Sequence, residues 1–150
     1  MKFNVKILVL SGLLLSFSCK TEKTTSVNYH KSHEESRKNV PFSDAVQVDN
    51  LFFLTGQIGK NHKTGKLAEG GIEEETKQAI LNIKEVLEHH QLSLKDVVKC
   101  TVILADINDF EKMNKIYRSF FTENLPARTT FAANLVADAK IEIEVVAVKK

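Results

Sequence analysis

The 150-residue chain contains no tryptophan and only two cysteines, two prolines, two methionines, two tyrosines and six glycines. So little glycine and proline excludes collagen-like repeats and Pro/Gly low-complexity chains. Two cysteines cannot build a disulfide framework. Cys19 falls in the leader, and Cys100 sits inside the apolar run VVKCTVIL, where it reads as a small buried hydrophobe. No Ser-His-Asp signature, phosphate loop or Cys/His cluster is visible, so no metal site is expected. Concentrated positive charge is also missing. Residues 1–39 carry seven Lys/Arg against three Asp/Glu, which leaves fourteen against sixteen in residues 40–150. A mildly acidic globular part argues against nucleic acid as a partner, because neutralising phosphates needs a basic face. What the chain does have is 43% hydrophobic and 27% charged residues, enough for one packed core and too many for bulk disorder.

The first nineteen residues, MKFNVKILVLSGLLLSFSC, read as a signal peptide. Lys2 and Lys6 form a positive start, and Ile7–Phe17 is an apolar stretch too short to span a bilayer, which takes about 20 residues. Ser18 before Cys19 suggests lipoprotein processing, with Cys19 lipidated and the chain anchored to a membrane of the bacterial envelope. The alternative is a plain signal peptide and a soluble periplasmic or secreted protein. Residues 20–39 are polar, lack apolar periodicity and read as a flexible linker; the spacing His30-x-x-His33 is assigned to that tether and not to a metal.

The domain is expected over residues 40–150. Ala45–Val48 and Leu51–Ile58 flank an Asp49-Asn50 turn and read as a hairpin. Apolar residues from Ile72 to Leu87 recur by three and four, predicting an amphipathic helix, with Glu73, Glu74 and Glu75 suiting its N-terminal dipole and His89 and His90 its end. The adjacent histidines face different directions, which argues against a paired role. VVKCTVIL reads as a buried strand. Asn108 is the expected cap of a second helix carrying Phe110, Met113, Ile116, Tyr117, Phe120 and Phe121, and two more strands follow at Thr129–Leu135 and Ile141–Val148. This order predicts an α+β fold, a mixed sheet with two helices on one face. Its uncovered face needs burial, which points to a homo-oligomer.

Reactive candidates are few. The domain uses Arg only at 118 and 128. Arg118, beside Tyr117 on the helix, reads as a surface ion pair. Arg128, after Pro126 at a strand start, is either a two-pronged carboxylate clamp or a strand-edge salt bridge. Glu142 and Glu144 share one face of the last strand, as an acid/base pair or as its solvent side.

The segments LTGQIGKNHKTGKL, VVKCTVILADINDFEKMNKIYRSFF, LPARTTF and KIEIEVVAV together resemble the RidA/YjgF family of reactive-intermediate (imine/enamine) deaminases, across residues 40–150. The resemblance implies a chorismate-mutase-like domain forming homotrimers with pockets between subunits. It implies hydrolysis of 2-imino acids of the 2-iminobutanoate/2-iminopropanoate type to 2-keto acids and ammonia, without a cofactor. Arg128 matches the substrate-carboxylate clamp and Glu142 the acidic residue that handles water. Thr55, Gly56 and Asn114 fall at pocket positions, and Thr130 stands where some members carry Cys. Phe42 replaces a common Tyr, and Phe131-Ala132-Ala133 replaces a Val-x-Val. The competing reading is an envelope module that binds a small carboxylate without turnover; RNA cleavage, attributed to some members, suits neither the charge nor the leader.

Overall fold

The computed structural model describes residues 24–150. The signal peptide expected over 1–19 and Cys19 lie outside the described residues. Eleven strands and α-helices run through the described residues: strands β1 (Val27–His30), β2 (Ala45–Val48), β3 (Leu51–Leu54), β4 (Gln57–Ile58), β5 (Lys60–Asn61) and β6 (Lys66–Leu67), helix α1 (Ile72–His89), strand β7 (Val97–Leu104), helix α2 (Phe110–Phe120), and strands β8 (Ala127–Ala132) and β9 (Ile141–Val148). The main sheet runs β1-β2-β3-β9-β7-β8, with β4 also paired to β9; β5 and β6 form a separate hairpin. Among the described residues only β7 and β8 pair in parallel, joined through α2, so the sheet is mixed. Both helices lie on one face, as the α+β reading predicts.

The helix side of the sheet holds the core. Cys100, Val102 and Leu104 of β7 and Ile141, Ile143 and Val145 of β9 are buried against the apolar stripe of α1 and against Met113 and Tyr117 of α2. Cys100 is a free, buried thiol, as its apolar surroundings suggest. Glu75, grouped by sequence with its neighbours as helix-dipole charge, is itself buried, and its Oε2 accepts the Lys140 amide at 2.8 Å. That bond ties the start of β9 to α1.

The opposite face is open among the described residues. Tyr29, Phe53 and Phe131 are exposed there at 73%, 44% and 45%, and β9 contributes Glu142 and Glu144, whose register partners on β7 are Ile103 and Thr101.

Four expectations are corrected. The linker expected over 20–39 is not a tether from residue 24 onward, because β1 pairs with β2 and Glu35–Arg37 forms a 3-10 turn. Backbone pairing at a sheet edge needs no apolar side chains, which is why hydrophobic patterning missed it. A buried ion pair anchors the segment: Arg37 Nη2 lies 2.8 Å from Oδ1 of Asp44, a residue only 2% exposed. Next, Leu51–Ile58 is not one strand; it breaks at Thr55-Gly56 between β3 and β4. Asn108 does not cap α2: the Asp106 side chain accepts the Asn108 amide at 2.9 Å and starts a 3-10 turn that leads into the helix. The strand expected over Thr129–Leu135 runs instead over Ala127–Ala132, and Ala137 and Asp138, both at positive φ, reverse the chain toward β9.

Candidate functional site

The break between β3 and β4 opens the larger of two clefts that hold the candidate residues. Its volume is about 650 Å³, and Phe42, Thr55, Gly56 and Glu142 all line it. Gly56 is required there by space: a β-carbon would stand 2.0 Å from Glu142 Oε1. The glycine lets the Glu142 carboxyl lie against the backbone of the β3–β4 break. Glu142 has its pKa raised, first by burial and then by the neighbouring negative charge of Glu144. A carboxyl shifted in that direction holds its proton at higher pH than a free glutamate, which suits proton exchange with a bound water.

The far wall of this cleft contains residues that the sequence reading missed. Ser36, Arg37 and His62 line it. Arg37 Nη1 donates to Gln57 Oε1 at 3.1 Å and lies 3.2 Å from His62 Nε2, while His62 Nδ1 sits 2.8 Å from Glu34 Oε1. A polar segment read as a tether therefore forms a wall of the cleft. The available signal was the lone Arg37 upstream of Asp44, an ion pair that no periodicity reveals.

Arg128 stands elsewhere. It is in register with Cys100, so it leaves β8 on the helix face. Its guanidinium carbon is 4.6 Å from the centre of the Tyr117 ring and 5.7 Å from that of Phe110. Stacking on two aromatic faces orients the planar group without using its N–H donors. Among the described residues Arg128 makes no salt bridge and no side-chain hydrogen bond, so the strand-edge ion pair is not formed. It lines a cleft of about 250 Å³ with Asn114, Tyr117 and Arg118. Arg118 also has no acidic partner among the described residues, so the surface ion pair expected for it is absent. Two residues beyond Arg128 on the same strand face, Thr130 has a buried Oγ1 with no hydrogen-bond partner. The Tyr117 hydroxyl beneath Arg128 is likewise unpartnered, and its pKa is raised, chiefly by burial and then by the Cys100 thiol beside it.

The seven candidates thus divide into two groups. Phe42, Thr55, Gly56 and Glu142 share one cleft, whereas Arg128, Asn114 and Thr130 gather on the other face of the sheet, with β7 between their strands. Within one chain Arg128, expected as the clamp, and Glu142, expected to handle water, line different clefts and do not meet.

The sequence profile of the family described as Endoribonuclease L-PSP (Ribonuc_L-PSP) matches residues 33–149. The human protein named 2-iminobutanoate/2-iminopropanoate deaminase is 46% identical over 110 residues, covering 73% of this chain and 80% of that protein. Among solved structures, the YjgF gene product of E. coli superposes with a TM-score of 0.69 at 37% identity, covering 73% of this chain and 89% of its own. E. coli TdcF, solved with bound serine, gives 0.70 at 27% identity, covering 86% and 100%. With most of the domain matched by the profile and by both kinds of relative, this chain belongs to the Ribonuc_L-PSP family, the RidA/YjgF group.

Proposed function

We propose that the protein hydrolyses 2-imino acids to 2-keto acids and ammonia in a pocket completed between copies, Arg128 of one chain facing the Glu142 cleft of the next. The observation that carries this reading is the unpaired state of Arg128. It is a half-buried guanidinium, oriented by two rings, with its donors uncommitted among the described residues. A substrate carboxylate would take two parallel N–H bonds from it. The split of the candidates across the sheet supports a partner-completed site, and the open apolar face supplies a surface for assembly. A head-to-tail contact that closes into a ring puts one such pocket at every junction, as a trimer would. The serine bound by TdcF, a small amino acid, fits the same substrate class.

The chemistry asks little of the protein. Water adds to the C=N carbon, Glu142 takes a proton from that water and returns one to nitrogen, and the tetrahedral adduct expels ammonia to leave the ketone. Binding the carboxylate and placing the water lower the entropic part of the barrier, and the carboxyl with its raised pKa moves the proton.

The test is subunit mixing. An amino-acid oxidase generates imino acids in situ, semicarbazide traps them, and the protein competes by hydrolysing them first. Arg128→Ala and Glu142→Gln should each be inactive alone. Co-refolded one to one, they should recover about a quarter of wild-type activity, since about one junction in four then joins an intact Arg128 to an intact Glu142. No activity in the wild type overturns the function, and no recovery in an active protein's mixed variants overturns the shared site. For the leader, we propose export and lipid anchoring through Cys19. Fatty-acid label should be incorporated by wild-type cells and lost in Cys19→Ser; label that persists refutes it.

A further inference from the structure

The chain holds five histidines, and four of them meet where the N-terminal segment lies against the end of α1. His30 closes β1 and His33 follows it; His89 ends α1 and His90 caps it. His33 stacks on His89 with ring centroids 4.3 Å apart, and His30 sits against His90 at 4.4 Å. Glu85 is one turn before His89, so both side chains leave the helix on the same face. Its Oε1 lies 3.6 Å from His33 Nε2. Glu34 joins them: His33, Glu34 and Glu85 each offer a ligand atom within 4.8 Å of the others. Among the described residues the only ionic partners of Glu34 and Glu85 are imidazoles, with no lysine or arginine neutralising either carboxylate.

We propose that His33, Glu34 and Glu85 bind a divalent cation of the zinc class and clip the N-terminal segment to α1. Tetrahedral zinc with bonds of about 2.0–2.1 Å holds its donor atoms about 3.3–3.5 Å apart. The His33–Glu85 separation is already within a few tenths of an ångström of that. Mixed imidazole and carboxylate donors suit zinc, whereas magnesium and calcium prefer all-oxygen sets. His62, bonded to Glu34, supplies the outer contact that orients a ligating carboxylate. Through Glu34, His62 and Arg37 the clip connects to the wall of the Glu142 cleft, so zinc orders that wall.

Untagged protein, stripped with EDTA and dialysed, is titrated with zinc in competition with a chromophoric chelator. One zinc per chain should bind with a Kd of about 1 μM or tighter, and magnesium should not compete. His33→Ala and Glu34→Gln should each weaken binding by about tenfold or more, while His30→Gln stays within about threefold of wild type. Glu85→Gln, at a half-exposed side chain whose loss does not threaten the core, should also weaken it by about tenfold. Zinc should slow tryptic cleavage after Lys31 and Lys38 in the wild type, and this protection should disappear in Glu85→Gln. Binding weaker than about 100 μM, or a Glu85→Gln variant that binds zinc as wild type does, overturns the proposal.

Discussion

Replacing Gly56 with alanine moves the Glu142 carboxyl and almost nothing else. The added β-carbon would lie 2.0 Å from Glu142 Oε1 and 2.9 Å from its Cδ. Contacts under 3.0 Å are essentially never tolerated, so the carboxyl oxygen must withdraw by at least about 1 Å. Gly56 is not among the positive-φ glycines, so alanine brings bulk without backbone strain. What yields is the far end of a flexible, half-buried side chain, and stability should hardly change. Misplacing a reacting group by about 1 Å costs roughly a hundredfold in rate. At 1.36 kcal/mol per decade that is about 2.7 kcal/mol of transition-state stabilisation. In the semicarbazide competition assay, kcat/KM of Gly56→Ala should fall about a hundredfold with Tm unchanged. If the loss acts through Glu142, Gly56→Ala combined with Glu142→Gln should be no slower than Glu142→Gln alone. A single variant within about threefold of wild type, or a double variant in which the losses multiply, refutes the reasoning.

Arg128→Lys should lower kcat/KM by about a hundredfold or more, because an ammonium supplies neither the two-pronged contact nor the planar stack on Tyr117; wild-type kinetics in the same assay would contradict the clamp. Glu142 should leave a mark on stability against pH. Its folded pKa is raised above 4.5, so its contribution is fully present below that value and is lost as pH rises through the raised folded pKa. Melting curves between about pH 4 and pH 7 should show wild type losing stability relative to Glu142→Gln as pH rises, and a constant difference would deny the shift. Asp44→Ala strands the Arg37 charge and should destabilise the domain by about 3–5 kcal/mol in urea titration; a change under about 1 kcal/mol would mean that Arg37 finds water instead.

Where hydrophobic periodicity governs packing, the sequence was a sufficient guide. The stripe from Ile72 to Leu87 became α1, and Ile141–Val148 became β9 at the residues expected, because both elements bury one face against a common core. Periodicity could not report elements held by backbone pairing and polar anchors. That is why β1 and the turn at Glu35–Arg37 were missed, and with them the Arg37 wall of the cleft. The pairing of histidines was missed for a related reason. His89 and His90 do face different ways, but each finds a histidine of the N-terminal segment, a contact between residues more than fifty positions apart in the chain. The individual candidate residues were legible as motifs. Their division between two faces was not, since it depends on register: Arg128 aligns with the buried Cys100, and Glu142 with Ile103 on the open side.

The absence of tryptophan gives the ring beneath Arg128 a second use. With no tryptophan, the tyrosine emission comes from Tyr29 and Tyr117 alone, and they sit in opposite surroundings: one lies open to solvent, the other is 6% exposed with a guanidinium over its face. An anion held by the guanidinium offsets its charge over the ring, changes the field on Tyr117 and leaves Tyr29 as it was. In Tyr29→Phe the remaining emission comes from Tyr117 alone. Occupancy of the Arg128 cleft can then be followed by intrinsic fluorescence, with no attached dye and with ligands that undergo no reaction.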